Sequence, residues 1–138
     1  MSETKFSVSM CVYGKDDPQF FRAAVESILN QTVTPSEVVL VVDGPVPEAL
    51  DVVIRGYEAM PIFRVVRFAE NQGHGNARRA GLAACSNELV ALMDADDLSV
   101  PDRFQKQLAK FTSDSRVDIV GGMITEFVGE IGRASCRE

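Results

Sequence analysis

"EVVLVVDG", residues 37–44, is the stretch on which the fold turns. From Val38 to Val42 every side chain is apolar and most are β-branched; Asp43 and Gly44 then stop the run. A strand with one wet face would alternate apolar and polar residues. A short unbroken run reads instead as a strand covered on both faces, the condition of a parallel sheet between helices. The flanking segments agree. Upstream, "FSVSMCV" (6–12) alternates Phe6, Val8, Met10 and Val12 and reads as a strand. It is followed by a helix over 18–31, with Phe20, Phe21, Ala24, Val25, Ile28 and Leu29 at helical spacing, Asp17 placed to cap it and Pro18 suited to its first turn. Downstream, 47–60 is helical, with Leu50, Val53, Ile54 and Tyr57 on one face and Gly56 weakening it. "FRVVRF" (63–68) is a third strand, "ARRAGLAAC" (77–85) a short helix and "ELVALMD" (88–94) a fourth strand. A helix then opens at Pro101, with Phe104, Leu108 and Phe111 inward, and "VDIVGGM" (117–123) reads as a fifth strand. Strands alternating with helices predict an α/β, Rossmann-like fold: a mostly parallel sheet with helices on both faces.

The bulk properties fit one modest domain. The chain has 138 residues, 46% of them hydrophobic, so a core can form. We expect a domain over 1–130; "GRASCRE" fits no pattern, so 131–138 is set aside as a scar or disordered tail. A net charge of −6 excludes a nucleic-acid binder that relies on a basic surface. It leaves room for a nucleotide ligand. Cys11, Cys85 and Cys136 show no CxxC spacing, which argues against a disulfide framework or zinc site and for a reducing compartment. Cys11 and Cys85 read as small core fillers. "MSETKF" is too polar for a signal peptide, and no apolar run approaches the ~18 residues of a membrane span. The expected location is cytoplasmic, with membrane association left open for a full-length protein.

In open parallel sheets, ligands bind beyond the carboxyl ends of the strands. That rule points to the loops 13–17, 43–45, 69–76 and 94–99. In "MDADD", Asp94 closes a strand and Asp96 follows two residues on. Two carboxylates so placed suit a hard divalent cation, Mg²⁺ or Mn²⁺, shared with phosphate oxygens; a solvated acidic loop is the plainer alternative. An EF-hand is excluded, because Ser99 stands where its glycine belongs. Asp43 can accept hydrogen bonds from a base or sugar, or bond its own turn. In "ENQGHGNARRAG", Gly73 and Gly75 let backbone approach a ligand, and Asn76 or a neighbour caps a helix. Arg78 and Arg79 then fall in its first turn, where cations oppose the helix dipole; a bound diphosphate would explain them, and so would an ordinary surface pair. His74 reads as a solvated loop residue. Ser27, Gln31 and Thr32, at a helix end, carry no clear chemical demand.

Taken in order, "VSMCVYG", "AVESILNQT", "VVLVVDG", "ENQGHGNARRAGLAAC" and "ELVALMDADDLSVPDRFQKQL" resemble the family 2 glycosyltransferases of GT-A fold, bacterial inverting enzymes of polysaccharide and lipopolysaccharide assembly. The resemblance covers residues 6–123. It implies a nucleotide-diphosphate sugar donor, a UDP-sugar first among them, and Mg²⁺ or Mn²⁺ as cofactor. It implies that Val12 and Tyr13 begin the loop touching base and ribose, that Asp43 bonds the base, and that Gly73 and Arg78 approach the nucleotide and its diphosphate. Asp96 is then the foremost metal ligand and Asp94 lies near the ribose as the second acid of the motif. Asp97 is a further candidate for either task. The chain departs from the family in having "VDGP" for the frequent "DDGS", which leaves Asp43 to serve alone, and Arg79 for a frequent Asn.

The resemblance also places the catalytic base after a further strand and loop. Glu126 and Glu130 come too early to be that base, so it is expected beyond the chain end. The expected whole is a hexosyltransferase with a saccharide or lipid-linked acceptor. This chain alone is expected to bind donor and metal with little or no transfer. Two rivals stand beside this reading. One is a non-catalytic nucleotide-sugar-binding module. The other is a sugar nucleotidyltransferase, which would want a richer Gly/Lys/Arg loop than "VYGKDD" after the first strand.

Overall fold

The structure is a computed structural model and describes residues 4–127 and 134–136. Its strands are β1 (Phe6–Val12), β2 (Glu37–Val42), β3 (Phe63–Arg67) and β4 (Leu89–Asp94), with helices α1 (Pro18–Leu29), α2 (Glu48–Glu58), α3 (His74–Ala84) and α4 (Arg103–Ser113). The four strands form one all-parallel sheet in the order β3-β2-β1-β4. β5 (Thr125–Phe127) and β6 (Ala134–Cys136) pair antiparallel by themselves. The chain divides into two compact units, Met1–Phe104 and Gln105–Glu138. The first holds the sheet and every residue of the candidate site.

β2 behaves as its unbroken apolar run demands. Val38 to Val42 are at most 1% exposed, with helices on both sides. Fully burying each such side chain stabilises by ~1.5–3 kcal/mol. One face carries Met10, Leu40 and Val42, and here α1 buries Phe21, Ala24, Val25 and Ile28 while α2 buries Leu50, Ile54 and Tyr57. Phe21 meets Tyr57 edge-on, and Tyr57 stacks on Phe63. The opposite face carries Ser9 and Val41 and takes α3. A Cβ added to Gly81 would strike the Ser9 hydroxyl, so glycine is what lets α3 lie this close. Asp17 caps α1 as expected, accepting from the amides of Gln19 and Phe20.

Four expectations are corrected. Residues 117–123 form no strand: Ile119 and Met123 are 90% and 81% exposed, and pairing begins only at Thr125. An apolar run becomes a strand only where an edge receives it, and Gly121–Gly122 weakens the run further. α3 starts at His74, three residues before the apolar pattern does, with Gly73 at its cap position at φ +90 and no side-chain cap. His74 is therefore helical, and Arg78 lies beyond the first turn, so the dipole argument for it lapses. α4 begins at Arg103; within it Phe104 is buried, but Leu108 and Phe111 are only half-buried. Finally, Cys11 and Cys85 are half-exposed rather than core. Parts of the expected tail, 131–133 and 137–138, and Glu130 lie outside the described residues.

Candidate functional site

The parallel pairing brings three strand ends side by side. Val12 lies level with Val42, and Cys11 with both Val41 and Asp94. A cavity of about 480 Å³ opens above these ends. This is within the range that holds a small organic ligand. Val12, Tyr13, Asp43, Gly73, Asp94 and Asp96 line it. Those are six of the eight residues singled out in the sequence. Arg78 reaches the site by its ion pair with Asp94, Nη2 to Oδ1 at 2.9 Å. Asp97 does not line the cavity.

Asp43 is held from the glycine loop rather than by its own turn. Its Oδ1 accepts from the Gln72 amide at 2.7 Å, and its carbonyl accepts from Asn71 Nδ2 at 3.1 Å. The side chain is 5% exposed, so one carboxylate oxygen is committed and the other remains for the cavity. Gly44 closes the fit at φ +89; a Cβ there would lie 2.5 Å from the Asn71 nitrogen. Only glycine allows this turn and this approach.

The acids of the β4 end are arranged differently. Asp94, Asp96 and Asp97 are exposed, and the Asp97 amide bonds weakly back to the Asp94 carbonyl. Partial burial, then the charges of Asp94 and Asp96, pushes the Asp97 carboxyl above its ordinary range. Asp16, to which the sequence pattern gave no role, joins them. It lines the cavity, accepts from the Tyr13 amide at 2.9 Å, and is pushed up by burial and then by Asp96 and Asp94. Its only signal in the sequence was the Asp16–Asp17 doublet in a post-strand loop, of which Asp17 was explained by capping. Cys11 also lines the cavity; burial raises its thiol, with Arg78 opposing.

Arg78 binds the two halves of this wall. Its Nη2 lies 3.0 Å from His74 Nε2 as well as against Asp94, an arrangement that needs Nε2 to carry no proton. Its Nη1 is buried and has no hydrogen-bond partner among the described residues. Among the described residues no group of three or more His, Cys, Asp or Glu is placed to hold a metal ion by itself. Asp94 and Asp96, exposed at the cavity wall, are an open set of oxygen donors. They fit a hard divalent cation whose shell a ligand's phosphates complete.

Known proteins share this arrangement of sequence and fold. The model of "Glycosyl transferase family 2" matches residues 7–135. The amylovoran biosynthesis glycosyltransferase AmsE of Erwinia amylovora is 38% identical over 88% of this chain and 46% of its own length. The UDP-Gal:alpha-D-GlcNAc-diphosphoundecaprenol beta-1,3-galactosyltransferase of Escherichia coli is 36% identical over 89% of this chain and 45% of its own. Among solved structures, S. aureus TarS 1–349 in complex with UDP superposes with a TM-score of 0.67 at 23% identity, covering 80% of this chain and 32% of that one. That likeness is one of fold, a GT-A-like Rossmann arrangement. The chain spans about half the length of the curated relatives it matches. Within that span the match is nearly end to end, and the chain belongs to glycosyl transferase family 2.

Proposed function

We propose that this chain is the donor-binding half of an inverting glycosyltransferase of polysaccharide or lipopolysaccharide synthesis, and that its donor is a nucleotide-diphosphate sugar, a UDP-sugar first. One observation carries the reading: a buried base-side acid, Asp43, and the exposed acids Asp94 and Asp96 with Arg78 converge on one cavity at the strand ends. The E. coli relative, whose name includes UDP-Gal, and the UDP complex of TarS support uracil as the base.

In this reading the free oxygen of Asp43 accepts an N–H of the base, and Tyr13 covers the base and ribose. Asp94, already oriented by Arg78, lies near the ribose. Asp96, with Asp94 and Asp97 beside it, would hold Mg²⁺ or Mn²⁺, which when bound offsets the charge of the diphosphate. Gly73 lets the loop backbone approach the nucleotide, and the Arg78 guanidinium stabilises charge growing on the leaving group. The acceptor hydroxyl oxygen bonds to the anomeric carbon from the face opposite the diphosphate. The carbon–oxygen bond to the diphosphate breaks, its electron pair leaves with the nucleoside diphosphate, and the configuration inverts. The hydroxyl proton passes to a general base, a role assigned to none of these donor-site residues. A saccharide or lipid-linked acceptor would bind beyond the donor cavity. Among the described residues no helix is long and apolar enough to cross a membrane.

Calorimetry with UDP, with and without Mn²⁺, tests the assignment. Wild type should bind more tightly with Mn²⁺, and Asp96→Ala should lose that gain. A variant that binds as wild type does would remove the metal from Asp96.

A further inference from the structure

Neither the sequence pattern nor the donor site gives Ser27 and Gln31 a task, yet Gln31 is one of few polar side chains in the core, at 5% exposure. A buried amide costs stability unless its donors and acceptor are all met. Here they are met, largely by one distant segment. Gln31 Nε2 donates to the Val100 carbonyl at 2.6 Å and to the Ser27 carbonyl at 3.0 Å, and Oε1 accepts from the Phe104 amide at 3.1 Å. One turn earlier on α1, Ser27 Oγ accepts from the Ser99 amide at 3.1 Å while donating to the Ala24 carbonyl. The Thr32 amide adds a bond to the Pro101 carbonyl at 2.9 Å. The end of α1 thus grips residues 99–104, immediately after the acids.

The grip acts on the chain just past the acidic motif. Asp94 is fixed on one side by the pairing of β4 with β1, and Ser99 on the other by Ser27. Ser99 is tied further, its hydroxyl to Met93 Sδ and to Arg103 Nη1, and Arg103 reaches the Leu92 carbonyl on the outer edge of β4. Only residues 95–98 span the two anchors. Inside that span Ala95 is buried and the Asp97 amide turns back to Asp94. Acids on so short a bridge have little freedom while both ends hold. If one end is released, the crowded carboxylates swing apart, and a ligand must reorder them at an entropic cost.

We propose that Ser27 and Gln31 are positioning residues, which hold the 95–98 bridge so that Asp94 and Asp96 face one point above the sheet. They touch neither donor nor metal; they act through the backbone of Ser99, Val100 and Phe104. This rests on the assignment of Asp96 and Asp94 to the metal–diphosphate made above.

The test uses Ser27→Ala and Gln31→Met in this chain, with Tyr57→Phe as control. Tyr57 also bonds α1, donating to Glu26 at 2.8 Å, and makes no hydrogen bond to the 99–104 segment. UDP affinity is measured with and without Mn²⁺, and amide hydrogen exchange is followed at 95–98 in the ligand-free protein. The two variants should lose about tenfold or more of the Mn²⁺-dependent gain, as partners behind metal ligands commonly do. Metal-free UDP affinity should stay within about twofold, since Asp43 is held elsewhere. Exchange at 95–98 should quicken in both and be unchanged in Tyr57→Phe. If Gln31→Met does not fold, Ser27→Ala decides alone, because at a half-buried position it removes only the bond to the Ser99 amide and a local bond within α1. Retention of the Mn²⁺ gain, or an equal loss of UDP affinity with and without metal, overturns the positioning role. Wild-type binding that ignores Mn²⁺ overturns the metal assignment and this inference together, a result visible before any variant is made.

Discussion

The two ends of the same sheet hold carboxylates in opposite conditions. At the amino end, Glu37 opens β2. Burial by itself would push it up, but the Ser7 hydroxyl, the Ser86 amide and the Ser86 hydroxyl all donate to it, Arg64 lies near, and together they hold it below the ordinary glutamate range. At the carboxyl end, Asp16 and Asp97 are pushed above the ordinary aspartate range by burial and by their acidic neighbours. The first arrangement is complete within the chain and stabilises it. The second keeps Asp16 and Asp97 raised despite the nearby His74 and Arg103. Functional sites commonly keep such unrelieved charge, because a ligand supplies what the fold withholds.

The contrast can be broken in several ways. The largest effect should come from Gly44→Ala, which forces an L side chain into φ +89 and against the Asn71 backbone. We expect a loss of ~2–4 kcal/mol in urea denaturation, with UDP binding lost alongside it. An unchanged midpoint would show that the glycine loop is not seated on this turn. Next, Asp96→Ala should cost at least about tenfold in Mn²⁺-assisted UDP affinity, about 1.4 kcal/mol, and leave the melting temperature unchanged or higher. A fall in melting temperature would make Asp96 a structural acid like Glu37.

Glu37→Gln should cost about 1 kcal/mol at neutral pH. A depressed pKa means that this contribution is present above the ordinary glutamate range and is lost as pH falls through the folded-state value. The gap between wild type and variant should therefore close in acid. The smallest effect has the opposite sign. Asp97→Asn should gain a few tenths of a kcal/mol at neutral pH without metal, solvent screening keeping it small. A raised pKa favours the folded state at low pH and loses that advantage as pH rises through it, so this gain should appear only above the carboxylate range. Added Mn²⁺ should reverse the order by stabilising wild type more.

Much of this was legible in the chain itself. β2 announced itself in Val38–Val42, and the capping of α1 in Asp17–Pro18. The strand-end rule led to Asp43, Asp94 and Asp96, which do line one cavity. The failures have separate causes. "VDIVGGM" had the composition of a strand but forms no strand pairing among the described residues, and composition carries no information about pairing partners. The start of α3 was hidden because His74, Gly75 and Asn76 contribute no apolar face. Asp16 was hidden because one capping role explained the doublet that contains it.

What the sequence determined by itself is which segments are strands, which are helices, and which strand ends carry acids. Burial on one face repeats at every turn or pleat, so it leaves a periodic mark along a single element. What only the tertiary structure decided is who meets whom. The order β3-β2-β1-β4 sets Cys11 beside Asp94, Asp94 against Arg78, and Gln31 under Val100, a partner 69 residues away. A polar bond between residues so far apart is made once and has no period, so nothing in the local pattern could have announced it.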